Sequence, residues 1–260
     1  MSTDGGIPLL SHTYPGNRAA ISQFPIMVRD LVERFAKVAG NRDDLTMVYD
    51  AGQDSTSNQS LIQESPLHFV GSLPPAHHRD LLEIPKSDYA TVDQDRFPGV
   101  TAYETKTTAL GGEYRVILCH SVKFFDKQRR SFTQTLAKAE VQLTNIQARL
   151  ERSKTKKSKE ALLSEIDEVL SPRWVKRVMT AVVVGDTPPE FRLSFSTDEE
   201  ALSTLEEEIF GKRILFTDRD DWSTSQVISA YRSQHYVESD FKQMKDTKVV
   251  LFSPMFHWSK

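Results

Sequence analysis

The chain has 260 residues, 38% hydrophobic and 27% charged, with a formal net charge of −3. That length suits one large domain, or one domain carrying a sizeable insertion. The near-neutral balance gives no general case for nucleic-acid binding, so any such contact has to be argued from local features. Cys119 is the single cysteine, which excludes a disulfide within the chain and suits a reducing cytoplasm. No apolar run approaches the ~18 residues of a membrane helix, and MSTDGGIPLL lacks the basic-then-apolar order of a signal peptide. A cytoplasmic protein with no membrane partner is the expectation.

Ser2 to Gly6, STDGG, has the composition of a hairpin turn, and Ile7 to Tyr14 reads as a strand after it. A hairpin turn needs a strand on each side, so the expectation is a chain that starts inside a domain. Tyr14-Pro15-Gly16-Asn17 is a second turn. Phe24 to Ala39 predicts a helix with Ile26, Leu31, Phe35 and Val38 inward and Gly40-Asn41 closing it. Leu45 to Tyr49 is a short apolar strand ending at Asp50, Ser55 to Ile62 a short helix, and Leu67 to Val70 a buried strand stopped by Gly71. The alternation over 6–72 is that of an α/β sheet with crossover helices.

Residues 73–99 read as a connecting loop, and 100–120 as a hairpin turning at Leu110-Gly111-Gly112. From Val122 to about Arg152 a helix is predicted, with Phe132, Leu136, Ala139, Leu143, Ile146 and Leu150 in heptad spacing. After SKTKKSK, Leu163, Ile166 and Leu170 resume the pattern, giving an antiparallel helical hairpin. Val175 to Val184, Phe191 to Phe195 and Arg213 to Phe216 are strand candidates, and Ser196 to Glu208 is an acidic helix. Val249 to Trp258 is apolar and aromatic with no closing element, so the chain is expected to stop inside a domain as well.

Two places carry chemistry. Asp50 stands at the end of a buried strand, where the ends of parallel strands open into a crevice; the plain alternative is that it caps the following turn. Ser223 to Lys245 reads as one capped amphipathic helix in which Tyr231, Glu238 and Lys245, spaced seven and seven, share a face. The plain alternative there is a solvated face on which Glu238 pairs with Lys242. Taken together, Asp50 and Glu238 are two carboxylates able to converge on Mg²⁺, a hard cation that prefers oxygen. Two such ions ~3.5–4 Å apart serve phosphoryl transfer.

At these residues the sequence resembles a known family. Tyr231, Glu238 and Lys245 match the Tyr-x2-Arg-x3-Glu-x6-Lys signature of a group of bacterial insertion-sequence transposases, which are DDE enzymes with an RNase H-like fold. GIPLLSHTYPGN at 6–17, VYDAG at 48–52, GKRILFTDRDDWSTSQVISAY at 211–231 and SPMFHW at 253–258 resemble further segments of that family in the same order. The resemblance implies an α/β, RNase H-like mixed sheet interrupted by an inserted β-hairpin and helical hairpin. The core would be formed by 1–72 and 211–260, and the insertion by 73–210. Asp50 would be the second catalytic aspartate and Glu238 the catalytic glutamate, both ligating Mg²⁺, with two ions in the intact site. Tyr231 and Lys245, with Lys242 beside them, would contact transposon-end DNA. The implied activity is cleavage and strand transfer of double-stranded DNA, and a homodimer is a further expectation.

Two departures accompany the match. Gln234 stands where the signature has Arg, and Arg232 lies roughly 200° away around the helix. The family's first aspartate lies on a strand before STDGG, so a truncated, inactive or partial copy is expected. The alternative is a non-catalytic DNA-binding or coiled-coil interaction protein. Eleven Lys or Arg between Lys123 and Lys159, against Asp126, Glu140 and Glu151, form a local positive stretch that serves DNA or a solvated coiled-coil face equally well. His77-His78 and Cys119-His120 are adjacent pairs with poor geometry for a site, Gly111-Gly112 reads as a turn, and His235 as a surface residue.

Overall fold

The structure is a computed structural model that describes residues 20–38, 45–152 and 157–245. The expected features at 2–17, the Gly40-Asn41 stop and the segment 249–258 lie outside the described residues. Two compact units are formed, one from Met1–Leu81, Pro85–Cys119 and Arg213–Lys260, the other from Leu82–Ile84 and His120–Lys212.

In the first unit, helix α1 (Ala20–Val38) starts a turn earlier than Phe24 and runs through Pro25. Proline has no N–H for the carbonyl four residues back. That carbonyl, of Ile21, instead receives Asn58 Nδ2 at 3.4 Å. Strand β1 (Thr46–Val48), a 3₁₀ turn at Ala51–Gln53, helix α2 (Thr56–Gln63, capped by the Ser55 hydroxyl) and strand β2 (His68–Leu73) follow. β1 and β2 are parallel, with Val48 opposite Val70, as the strand–helix–strand pattern predicts.

Gly71 does not stop β2. The strand passes through it, because a Cβ there would lie 2.5 Å from the Phe216 ring and 2.9 Å from Tyr49. The glycine makes room for aromatic rings within the strand.

The segment 73–99, expected as loop, holds a short helix α3 (Arg79–Leu82) and a two-residue strand β3 (Ala90–Thr91) that pairs with β4. Strands β4 (Val100–Ala109) and β5 (Gly112–Ser121) turn at Leu110 and Gly111, both at positive φ, the two-residue turn that suits a hairpin.

The second unit contains helices α4 (Val122–Glu151), α5 (Lys159–Leu170) and α6 (Val175–Val178), strands β6 (Met179–Val184) and β7 (Arg192–Thr197), and helix α7 (Glu199–Ile209). The heptad residues Phe132, Ala139, Leu143, Ile146 and Leu150 are buried as expected, against Ile166 and Leu170 of α5 and against Leu162, while Leu163, expected in that stripe, is exposed. The strand expected from Val175 begins only at Met179. Trp174 takes a left-handed conformation before α6 and stacks with Phe132 and Phe210.

β8 (Lys212–Thr217) returns the chain to a six-stranded mixed sheet ordered β1-β2-β8-β5-β4-β3, with β2 and β8 antiparallel. The hairpin expected in an insertion at 73–210 is therefore part of the same sheet as β1 and β2. Alternation along β2 sorts the two faces. Phe69 and Gly71 meet Tyr49, Tyr114 and Phe216, with Phe24 of α1 against Tyr49. Val70 packs with Ile117, Leu215, Val227, Ile228 and Tyr231.

The predicted single helix at 223–245 is two: α8 (Thr224–Arg232) and α9 (Gln234–Lys245). Ser233, still in right-handed helical backbone, separates them, and its hydroxyl donates to the Ala230 carbonyl. Such a serine contact competes with the helical ladder. No described helix is long and apolar enough to cross a membrane.

Candidate functional site

The polar cluster lies at the carboxyl ends of the two parallel strands. Asp50 leaves β1 and caps the 3₁₀ turn, its Oδ1 accepting the Ala51 N–H at 2.9 Å. One reading offered for Asp50, a turn cap, is thus met. The same oxygen accepts the Ser72 hydroxyl at 3.1 Å and the Tyr231 hydroxyl at 3.1 Å. Tyr231 also lies 3.0 Å from Ser72 Oγ, which accepts the Ala51 N–H at 3.2 Å. Ser72 follows Val70 by two residues on β2 and so faces α8.

Tyr231 reaches this point because α8 is tied down at its start. Ser223 and Gln226 form a capping box. Arg115 donates to the carbonyls of Arg219 and Trp222 at 3.0 and 2.5 Å. Buried Arg219 donates to Thr46 Oγ1 at 3.0 Å and lies over the Trp222 ring. From there α8 runs back along the sheet with Val227, Ile228 and Tyr231 inward. Tyr231 is 4% exposed and Ser72 5%. Burial raises the Tyr231 pKa, partly offset by the Ser72 hydrogen bond and by the Arg213 guanidinium, 4.9 Å from the ring centre.

Next to this triad, Asp54 has both carboxylate oxygens enclosed with no hydrogen-bond partner among the described residues, and Gln53 Oε1 is in the same condition. Burial, and after it the Asp50 charge, push the Asp54 pKa up to about 7. Asn58 Nδ2 fixes the turn by donating to the Gln53 carbonyl at 2.9 Å. Sequence reasoning missed Ser72 and Asp54. Ser72 was visible as a hydroxyl in an apolar strand, and Asp54 as a second carboxylate one helical turn beyond Asp50.

The structure brings together Asp50 and Tyr231, 181 positions apart, and gives no bond between Asp50 and Glu238. Glu238 and Lys242 are exposed on α9, and neither makes a side-chain hydrogen bond or ion pair with a described residue, so the expected Glu238–Lys242 pair is not formed. Lys245 ends α9 and its side chain lies outside the described set. The buried Tyr231 hydroxyl is engaged by Asp50 and Ser72, so in this arrangement it does not offer itself to a DNA phosphate. Arg232 is exposed and lies over the Phe97 ring at 4.9 Å.

Among the described residues, no group of three or more His, Cys, Asp or Glu side chains is placed to hold a metal ion. Asp50 and Asp54 are close enough for the Asp50 charge to raise the Asp54 pKa. Asp50 Oδ2 makes no hydrogen bond among the described residues, and the Asp54 and Gln53 acceptors are enclosed without donors. These are oxygens short of positive partners, but enclosed ones, and they do not make up a set of three or more ligands.

Four of the eleven cations of the positive stretch in the second unit are paired with acids among the described residues. Arg149 donates twice to Glu165 at 3.1 and 2.5 Å, and Lys157 once at 3.0 Å. Lys159 meets Asp186 at 3.3 Å, and Arg129 meets Glu206 at 3.1 Å. A cavity of about 310 Å³ between Gln63, Leu67, His68, Tyr114 and Asp218 lies at the amino end of β2, away from Asp50; His68 Nδ1 and Asp218 are 2.9 Å apart there. No protein-family model matches the chain, and no curated protein or solved structure matches it.

Proposed function

We propose that the chain is a DDE-type transposase in whole or part, acting on double-stranded DNA at a site built from Asp50 and Glu238 on an RNase H-like sheet. The observation that supports this best is the meeting of Asp50 with Tyr231. Two segments singled out in the sequence, 181 positions apart, join at the carboxyl ends of parallel strands, where open α/β sheets place their ligands.

Asp50 and Glu238 are the residues that would hold Mg²⁺, with Asp54 beside Asp50 as a further oxygen donor. When bound, the ion would supply charge stabilisation and an activated nucleophile for in-line displacement at phosphorus. The chain's own contribution is orientation. Ala51 N–H, Ser72 and Tyr231 hold one Asp50 oxygen, and α9 extends Glu238 beyond the end of α8. Exposed Lys242, which has no ion-pair partner among the described residues, is one helical turn past Glu238 and is the residue proposed to meet a DNA phosphate. DNA work of this kind assigns the chain to the cytoplasm.

Fluorescence anisotropy with a labelled duplex tests the DNA half of the proposal. Lys242→Gln is expected to weaken binding uniformly across sequences and to reduce the salt slope by about 1. Binding and slope that stay unchanged would overturn it. The competing interaction-protein reading draws on one observation, the internal pairing of the α4–α5 cations, and predicts no salt-dependent DNA binding at all.

A further inference from the structure

Two arginines share one ring where α8 meets the turn between β3 and β4. Phe97, in that turn, is 6% exposed. The Arg232 guanidinium, at the end of α8, lies 4.9 Å from the ring centre, and the Arg96 guanidinium lies 5.4 Å from it. A third cation, Arg213 of β8, lies over Tyr231, the residue before Arg232. All three belong to the first unit.

Arg232 is the unusual member. A guanidinium carries five N–H donors, yet this side chain makes no hydrogen bond and no ion pair with a described residue. Its one polar contact is with the Phe97 ring. Partial burial, and after it the Arg213 charge, hold its pKa below the ordinary arginine value, while Cys119 acts the other way. A cation partly withdrawn from water and repelled by a second one is unfavourable without a counter-charge. Arg96 is fixed by the same helix, its Nη2 donating to Ser229 Oγ at 3.0 Å, one turn before Arg232. Asp93 stands 4.0 Å from Arg96 Nε, but other donors hold it: the Arg96 N–H at 3.1 Å on Oδ1 and the Ser225 hydroxyl at 3.3 Å on Oδ2.

We propose that Arg232 and Arg96, with the Arg213 charge beside them, form a contact surface for the phosphates of double-stranded DNA. This rests on the DNA reading of the chain and adds to it a surface separate from Lys242. With one face against a ring, a guanidinium still offers the N–H groups of its edge, the geometry in which arginine takes phosphate. Arg96 and Arg232 are both exposed. On an open surface a polyanion, which presents neighbouring phosphates to both and releases counterions on binding, is held far better than a single small ion. Phosphate contacts read no sequence, so the grip is the same on any duplex.

The test is the anisotropy of a labelled duplex with the full chain, over a series of KCl concentrations. Arg232→Gln and Arg96→Gln are each expected to weaken binding roughly 10-fold at about 0.1 M salt and to lower the salt slope by about 1, and the double variant to lower it by about 2. Arg232→Lys, which keeps the charge and loses the fork, should keep the slope and bind more weakly. Wild-type affinity and slope in the double variant, with Lys242→Gln still reducing both, overturns this surface and leaves the DNA reading standing. A wild-type chain that binds no duplex at low salt overturns the DNA reading, and this surface with it. A lower melting temperature in Arg232→Gln with DNA binding unchanged would show that the arginine only covers Phe97, and also overturns the surface. Phosphate that displaces the duplex at an ionic strength where chloride does not, in the wild type and not in the double variant, gives the site to a small anion and overturns the choice of DNA. Should Arg232→Gln fail to fold, Arg96→Gln carries the decision alone.

Discussion

The two units differ in where their polar groups gather, although each carries surface ion pairs and each encloses a polar atom without a partner among the described residues, Asp54 in the first and Arg149 Nε in the second. In the second, α4 and α5 bury a heptad stripe of Leu, Ile, Phe and Ala, and place their charges at the surface in pairs such as Arg149–Glu165 and Arg129–Glu206. In the first, a hydroxyl on a central strand, a tyrosine in the core and an unpartnered carboxylate sit side by side at the ends of β1 and β2. Apolar burial with surface pairing is how a fold is stabilised. Enclosing acceptors without donors costs stability and persists where something else is gained. On the reading proposed above, chemistry belongs to the first unit and the second is scaffolding.

The sharpest way to break that contrast is to damage each unit in turn. Leu143 is fully buried in the heptad core. Leu143→Ala should cost about 3 kcal/mol in chemical denaturation through lost burial and the cavity left behind. If the second unit is scaffolding, Mn²⁺ affinity in the folded variant should not change. A comparable loss of Mn²⁺ binding would dissolve the distinction.

Asp54 gives a smaller effect with a defined pH dependence. Its carboxyl titrates near 3.8 in the unfolded chain and is pushed up to about 7 when folded. The folded state therefore holds the proton more tightly between those values, and this group's contribution to stability is full below pH ~4 and lost as pH rises through ~7. Asp54→Asn should stabilise the fold at pH 8 by roughly 1 kcal/mol once solvent screening of a partly exposed group is allowed for, seen as a higher melting temperature. The gain should vanish near pH 4. Mg²⁺ should narrow the same gap in the wild type, since a cation offsets the charge that burial penalises. Melting curves across pH, with and without Mg²⁺, read all three; a gain that is equal at pH 4 and pH 8 would show that Asp54 is not held neutral by its surroundings.

Glu165 gives the smallest effect. Its bonds to Arg149, and then to Lys157, hold its pKa below the usual carboxylate value, so its contribution is present above that value and fades as pH falls. Because the pairs are partly exposed, Glu165→Gln should cost under ~1 kcal/mol, less in high salt. It also frees two cations. A modest rise in low-salt DNA affinity would show that acid pairing is what keeps the hairpin from acting as a DNA surface. No rise would count against the hairpin having any DNA role.

Much of the fold was legible because period and punctuation are local. The short helix from Ser55, the Leu110-Gly111 turn and the Phe132–Leu150 heptads each depend on residues within a few turns of one another. The misses were of another kind. Gly71 read as a stop because its reason, the Phe216 ring, is 145 positions away. The break at Ser233 was hidden because every residue around it suits a helix, and a single hydroxyl-to-carbonyl bond marks the join. Asp50 and Tyr231 were both picked out, yet their direct bond could not be read, because facing across a sheet depends on which side of β2 carries Ser72. The hairpin of β4 and β5 was legible as a hairpin but not as part of the central sheet, since strand order is set by long-range pairing.

The central claim is that a divalent cation binds between the Asp50 turn and α9. Iron-directed cleavage tests it most directly. Fe²⁺ is substituted for Mg²⁺, and ascorbate with peroxide then generates radicals that cut the backbone near the bound ion. The account predicts cuts confined to about residues 50–54 and 234–242, suppressed by excess Mg²⁺ and absent in Asp50→Ala. Cuts elsewhere, or cuts at those places that neither Mg²⁺ nor Asp50→Ala removes, would contradict it.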